Sequence, residues 1–291
     1  MPLVSISQRR RAFRAHLAAN QALPAGSVFD AASARLAQAA GYQVGMFAGS
    51  VASAVVLGAP DLVVMTLSEF ADQARRIARG SDLPFMVDAD HGYGNALNVR
   101  RTVQELETAG VSAIAVEDTV LPRPYAGPEA GLIPQDEFRD KLRSSVAARV
   151  EPELVIIGRT QALRDAGMGE TLARVRICNE TGVDAIFLVG VTSIEEVRTL
   201  HEATELPLIL NAVPSDGTPE AAAAAGGRMY LQGHLPYYAA LNTLYESYKH
   251  LVETGDQSAL QPRVLSKDLQ ALAMAETDHA EWTGEYMGLD K

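Results

Sequence analysis

Residues 84–98 read PFMVDADHGYGNALN, so two carboxylates, Asp88 and Asp90, stand two positions apart at the end of an apolar run and are followed at once by a glycine-rich turn. In an extended strand, residues i and i+2 project to the same side, so both acids can face one space. Glu117 ends a second such run, SAIAVED, and can join them. Three hard carboxylates with no cluster of histidine or cysteine nearby suit Mg2+ or Mn2+ and argue against zinc. Magnesium keeps several of its waters, so the expected set is one direct carboxylate with the others acting through water. The competing reading of DAD is a strand end whose aspartates cap the following turn and helix.

Other strand-like runs also end on groups that can do chemistry. Arg159 closes LVIIGR, where an unpartnered charge would be costly. It is either half of an ion pair with Glu117 or Asp118, or a planar fork for a substrate carboxylate or enolate oxygen. Gly49, Ser50 and Val51 follow another run. Backbone N–H groups there could receive a carboxylate oxygen, and Ser50 could equally make a local turn or helix cap. His234 follows RMYLQG, a position that suits substrate binding or proton handling as well as a structural role. Asn211 ends the seventh run, and its role is open.

The elements that must position these groups alternate along the chain. Eight strand-like runs are expected at 27–30, 44–49, 84–90, 112–118, 154–159, 184–190, 207–212 and 228–233, with amphipathic helical stretches such as ALNVRRTVQELETAG between them. Near-continuous apolar strands separated by helices imply a parallel sheet covered on both faces. Eight such units in 291 residues favour a closed (β/α)8 barrel of the TIM type, whose chemistry sits at the carboxyl ends of the strands. A dinucleotide fingerprint is missing, because HGYGNA lacks the third glycine and follows acids that would repel a phosphate. The expected division is a catalytic barrel over 1–254 and a helical extension over 255–291 that packs on the barrel or on a neighbouring subunit.

Composition bounds the rest. A hydrophobic content of 47% supports a large core, and the single cysteine, Cys178, excludes an internal disulfide. Cys178 lies in a helical stretch and is expected to be a small core filler. A formal net charge of −11 argues against nucleic acid as a partner. No run approaches the ~20 apolar residues of a membrane span, and no secretory apolar stretch is found at the start, so a soluble cytoplasmic protein is expected. The basic cluster RRRAFRAHLA carries apolar residues at helical spacing and is expected to be a solvated helix face.

Read together, GSVASAVVLGAPDLVVMTLSEF, VDADHGYGNALNV, IAVEDT and IIGRTQA resemble the isocitrate lyase/phosphoenolpyruvate mutase superfamily over about residues 25–250. The resemblance implies a (β/α)8 barrel whose last barrel helix is exchanged between subunits, in a homodimer or a homotetramer built as a dimer of dimers. It implies Asp88 as the direct ligand of Mg2+ (or Mn2+), Asp90 and Glu117 as holders of metal-bound water, and Asp61 of GAPD as an acid near the active site. It further implies that Arg159 contacts a 2-oxo acid and that Ser50 and Val51 hold its carboxylate through the backbone. Residues 119–134 lack the cysteine and histidine that superfamily C–C lyases carry there, and offer only Arg123, Tyr125 and Glu129 as sizeable polar groups. GHLPYYAA, with His234, resembles the branch that decarboxylates oxaloacetate to pyruvate and CO2 through a metal-stabilised enolate. The alternatives are a C–C lyase or hydrolase of another 2-oxo or 2-hydroxy diacid, and a non-catalytic barrel that binds 2-oxo acids.

Overall fold

The computed structural model describes residues 4–126 and 131–288; Glu129 of the loop after the fourth strand lies outside them. Eight parallel strands close a barrel in sequence order: β1 (Leu23–Ser27), β2 (Val44–Phe47), β3 (Phe85–Asp88), β4 (Ala113–Glu117), β5 (Val155–Thr160), β6 (Ala185–Leu188), β7 (Leu208–Leu210) and β8 (Gly227–Leu231), with β1 paired to β8. The helices are α1 (Ile6–Ala18), α2 (Ala31–Ala39), α3 (Gly49–Ala52), α4 (Leu67–Ala78), α5 (Ala96–Ala109), α6 (Gln135–Ala148), α7 (Ala162–Asp165), α8 (Met168–Thr181), α9 (Ile194–His201), α10 (Pro219–Ala224), α11 (Leu235–Thr254), α12 (Lys267–Met274) and α13 (Glu276–Met287). This is the (β/α)8 barrel expected from the alternation.

Two apolar layers follow from strands that are buried on both faces. Inward side chains such as Met46, Met86, Ala113, Ala115, Ile157 and Met229 fill the barrel. Outward ones such as Val87, Ile114, Ile156 and Leu210 meet the helices. The inward set is rich in alanine, and Phe13 of α1, wholly buried, fills space from below. Cys178 belongs to the outer layer and is fully buried, so burial pushes its thiol up and keeps it protonated. A thiol-specific reagent should therefore leave Cys178 unmodified in the native protein and label it fully in denaturant. Cys178→Ser should cost about 1–3 kcal/mol in a denaturant melt, since a hydroxyl there would be buried in apolar surroundings.

Two expectations need correction. The first strand runs over 23–27 and not 27–30. Val28 still donates to the Met46 carbonyl at 2.9 Å, but Asp30 then turns to cap α2, accepting from Ser33 N at 2.6 Å. The apolar pair Val28 and Phe29 masked that cap, and Pro24 and Gly26 disguised the real strand. The basic cluster is not a solvated face either. Arg9 and Arg10 are 5% and 2% exposed, and they fasten α1 beneath the barrel. Arg10 donates to the Val111 carbonyl at 2.9 Å and the Glu107 carbonyl at 2.6 Å and pairs with Glu151. Arg14 donates to the Glu153 and Leu154 carbonyls, each at 3.0 Å, and to Asp184 at 2.9 Å. Guanidinium groups can enter here because strand-end carbonyls supply a fixed fork of acceptors.

At the other end of the chain, α12 rests on α2, with Ala273 buried and its carbonyl accepting from Arg35 at 2.8 Å. By contrast α11 contains no buried residue and exposes Tyr238, Leu241, Leu244, Tyr245, Tyr248 and Val252. Among the described residues no helix is long and apolar enough to cross a membrane.

Candidate active site

At the carboxyl ends of the strands lies a cavity of about 380 Å3 lined by Ser50, Asp61, Asp88, Asp90, Glu117, Arg159, Asn211 and His234, among others. Six sequence segments far apart in the chain thus bring their chemically capable residues to one rim. Val51 is not among the lining residues; its side chain is wholly buried, which leaves only its backbone to serve.

The carboxylates arrive by different routes. Asp88 is the last residue of β3 and Glu117 the last of β4. Asp90 is not in the strand. It reaches the cavity through a left-handed backbone, φ 48°, in a turn where its own N–H donates to Asp88 Oδ1 at 3.3 Å and its carbonyl accepts from Glu117 N at 2.9 Å. A non-glycine residue in that region is strained, which the surrounding turn must support. Gly92, φ 79°, completes the turn, and a Cβ there would lie 2.5 Å from Val99 Cγ2. Capping of α5 is done by Asn95, which accepts from Leu97 N at 2.9 Å and Asn98 N at 3.4 Å. The aspartates are thereby left to face the cavity.

Arg159 stands among these acids. Its guanidinium pairs with Asp88 and, at 2.8 Å, with Glu117, and stacks over the Phe187 ring at 5.3 Å. Its Nε is buried without a partner. Burial disfavours the charge, but Asp88 and Glu117 outweigh it and hold the guanidinium protonated. Asp118, offered as another partner, points away from the cavity. Fully buried, it accepts from Thr160 and pairs with Arg174 at 3.1 Å, while Arg174 also donates to the Ile133 carbonyl at 2.7 Å. That network ties down the base of the loop after β4, where Thr119 bridges Leu132.

Electrostatics set the chemical character. Burial, only partly offset by Arg159 and reinforced by Asp88, pushes the Glu117 carboxyl up to about 7. Burial and then the charges of Asp88 and Glu117 push Asp90 up strongly. Asp61 is raised by burial and by Asp88, against the pull of Arg159 and His234. Four crowded carboxyls with too little positive charge, plus an orphaned guanidinium N–H, form a site that a hard divalent cation and an anionic ligand would relieve. Among the described residues no three acids, histidines or cysteines converge closely enough to ligate one ion together.

The remaining groups frame this centre. Ser50 lies in the first turn of α3, whose N-cap is Ala48, so it is not itself the cap. Gly49 is needed there because a Cβ would meet Asp90 Oδ1 at 2.6 Å. Asn211 accepts from Gly190 N at 3.2 Å and so joins the ends of β6 and β7. His234 is held at Nδ1 by Ser27 Oγ, 2.8 Å away, and burial lowers its pKa against the pull of Asp88 and Asp61. Of the loop residues, Tyr125 is fully exposed, while Thr119 and Leu121 line the cavity. Sequence reasoning missed Ser27, Thr119, Gln161 and Arg164. Gln161 was within reach, since it stands two positions beyond Arg159 at the same strand end.

A barrel with an acidic, arginine-bearing rim of this kind defines a class, and the sequence agrees with it. The chain belongs to the phosphoenolpyruvate phosphomutase family, which it matches over residues 13–252. It is 40% identical over 289 residues to the oxaloacetate decarboxylase of Bradyrhizobium diazoefficiens, covering 99% of this chain and 100% of that protein. Among solved structures it resembles oxaloacetate acetylhydrolase in complex with 3,3-difluorooxalacetate, at 26% identity and a TM-score of 0.82, covering 97% and 98% of the two chains. It also resembles 2,3-dimethylmalate lyase, a PEP mutase/isocitrate lyase superfamily member, at 28% identity and a TM-score of 0.79, covering 97% and 100%.

Proposed function

We propose that the protein decarboxylates oxaloacetate to pyruvate and CO2 with a bound Mg2+ or Mn2+. The observation that carries this reading is the convergence of Asp88, Asp90, Glu117 and Arg159 on one cavity together with His234. The full-length similarity to oxaloacetate decarboxylases supports it. Asp88 would hold the cation directly, with Asp90 and Glu117 acting through its water. When bound, the cation supplies a Lewis acid for the 2-oxo acid end of the substrate.

The chain's own residues do the rest. The Arg159 fork and the backbone of Ser50 and Val51 grip the C1 carboxylate and the C2 oxygen. As the C3–C4 bond breaks, its electron pair moves toward C2 and negative charge grows on that oxygen, where Arg159 already stands. His234 either donates a hydrogen bond to the developing enolate or holds the departing C4 carboxylate, and Asp61 lies within the same cavity. No nucleophile is required. His234→Ala should lower kcat at least a hundredfold, about 2.7 kcal/mol, with little change in thermal midpoint, because the ring's hydrogen-bond partner is one half-buried hydroxyl. An unchanged kcat would remove His234 from the mechanism.

The test is the rate of pyruvate formation from oxaloacetate with and without excess EDTA, against a blank of equal free Mg2+. A metal-dependent rate above the blank supports decarboxylation; a rate equal to it overturns the reading. The likeness to oxaloacetate acetylhydrolase favours one rival, hydrolytic C–C cleavage, which product analysis would reveal as oxalate and acetate in place of pyruvate. Tight oxalate binding without any turnover would mark a binding barrel.

The exposed apolar stripe of α11 supports association into a homodimer or homotetramer, with α11 covered by a second copy. In that reading 1–254 form the catalytic barrel and 255–291 the extension. The same reading takes the protein to work in the cytoplasm.

A further inference from the structure

One contact at the site stands outside the acid cluster. Ser27 is the last residue of β1, and His234 follows β8, the strand that pairs with β1 where the barrel closes. Ala25 is in register with Leu231, so Ser27 lies two residues beyond that pair and His234 three. The seam therefore sets the hydroxyl beside the ring, at 2.8 Å from Nδ1. His234 lines the cavity, whereas Ser27 is not among its lining residues.

We infer that Ser27 is a positioning residue, which occupies Nδ1 of His234 and thereby fixes the ring so that Nε2 is the nitrogen presented to the substrate. An imidazole has two unlike nitrogens, and the partner of one decides what the other can do. His234 sits at the mouth of α11 with a non-helical backbone, φ −114° and ψ 21°, and its side chain makes no cap bond there. The Ser27 contact is the hydrogen bond that orients it.

The choice of a hydroxyl matters chemically. A carboxylate at position 27 could only accept, and would pin one tautomer and favour the charged ring. A hydroxyl donates to bare Nδ1 and accepts from protonated Nδ1. Ser27 therefore keeps its bond in either neutral tautomer and in the charged ring, and the ring need not turn between these states. The Asp61 and Asp88 charges act on the same ring from the cavity side.

The kinetic part of the test rests on the decarboxylase reading. Ser27→Ala should lower kcat about tenfold while KM stays within twofold, and Ser27→Thr, which keeps the hydroxyl, should recover most of the loss. In a His234→Gln background, Ser27→Ala should cost nothing further, because there is no ring left to orient. A second measurement needs no turnover. In protein labelled with 15N-histidine, the Nδ1 resonance of His234, assigned by its absence from His234→Gln, should shift in Ser27→Ala and return in Ser27→Thr. Full activity in Ser27→Ala, an equal loss in both backgrounds, or an unmoved Nδ1 resonance would overturn the inference. If the wild-type protein does not turn over oxaloacetate, the proposed function falls, and the Nδ1 resonance alone decides whether Ser27 holds the ring.

Discussion

Asp88→Ala should abolish decarboxylation above the metal-only blank, a loss of at least a thousandfold in kcat/KM or about 4 kcal/mol, while leaving the protein as stable as before or more so. The two halves of this expectation have the same cause. Asp88 adds its charge to the forces that raise the carboxyls of Asp90, Glu117 and Asp61, so the folded chain holds it against electrostatic repulsion. Removing it relieves that repulsion, and Arg159 retains Glu117 as a partner at 2.8 Å. What would disappear, on the proposed reading, is the direct seat for the cation. Metal titration followed by calorimetry, a thermal melt and steady-state kinetics on one preparation would check all three. A variant that loses activity by unfolding, with a midpoint lowered by more than ten degrees, would show that Asp88 is structural. Sites that trade stability for function behave in the first way.

Arg159→Lys separates the ion-pair role that the structure shows for this side chain from the substrate-gripping role proposed for it. As an ion-pair partner, Arg159 offsets two buried acids; as a fork, it would grip a planar carboxylate or enolate. Lysine preserves the charge and loses the fork. The expected outcome is a fall in kcat/KM of about two orders of magnitude with a stability loss near 1 kcal/mol. Arg159→Met, which removes the charge as well, should cost about 3–5 kcal/mol of stability, because it strands buried carboxylates without their partner. Should Arg159→Lys keep full activity, the guanidinium is an ion-pair partner only and the substrate must be held elsewhere.

Much of the site could be read in advance because barrel strands impose a simple geometry. Once β3, β4 and β5 are located, the residues at their carboxyl ends must share a rim, and Asp88, Glu117 and Arg159, the last but one of β5, do so. Asp90 lines the same cavity, but not by the strand alternation expected of it. It lies past the strand, and only the left-handed turn, invisible in strand periodicity, returns its carboxylate to the cavity. Ser27 was hidden by a shift of four residues. With β1 expected at 27–30, Ser27 appeared to open the strand at the barrel's closed end, whereas in fact it ends the strand beside His234. The buried arginines of α1 were illegible for a different reason. Most of their partners are main-chain carbonyls, which carry no trace in side-chain pattern.

Those same arginines bear on the order in which the molecule can be assembled. The helix that closes the barrel floor is made before any of the barrel's strands, yet Arg10 finds its acceptor 101 residues later at Val111, and Arg14 finds Asp184 after 170. β1 likewise pairs with β8, which is made last of the eight strands. Neither contact is available to a nascent chain, and the loop each closes is long. The floor of the barrel is therefore laid only after much of its wall, so a helix rich in arginine and apolar residues must wait unpaired while the strands that hold its partners are made.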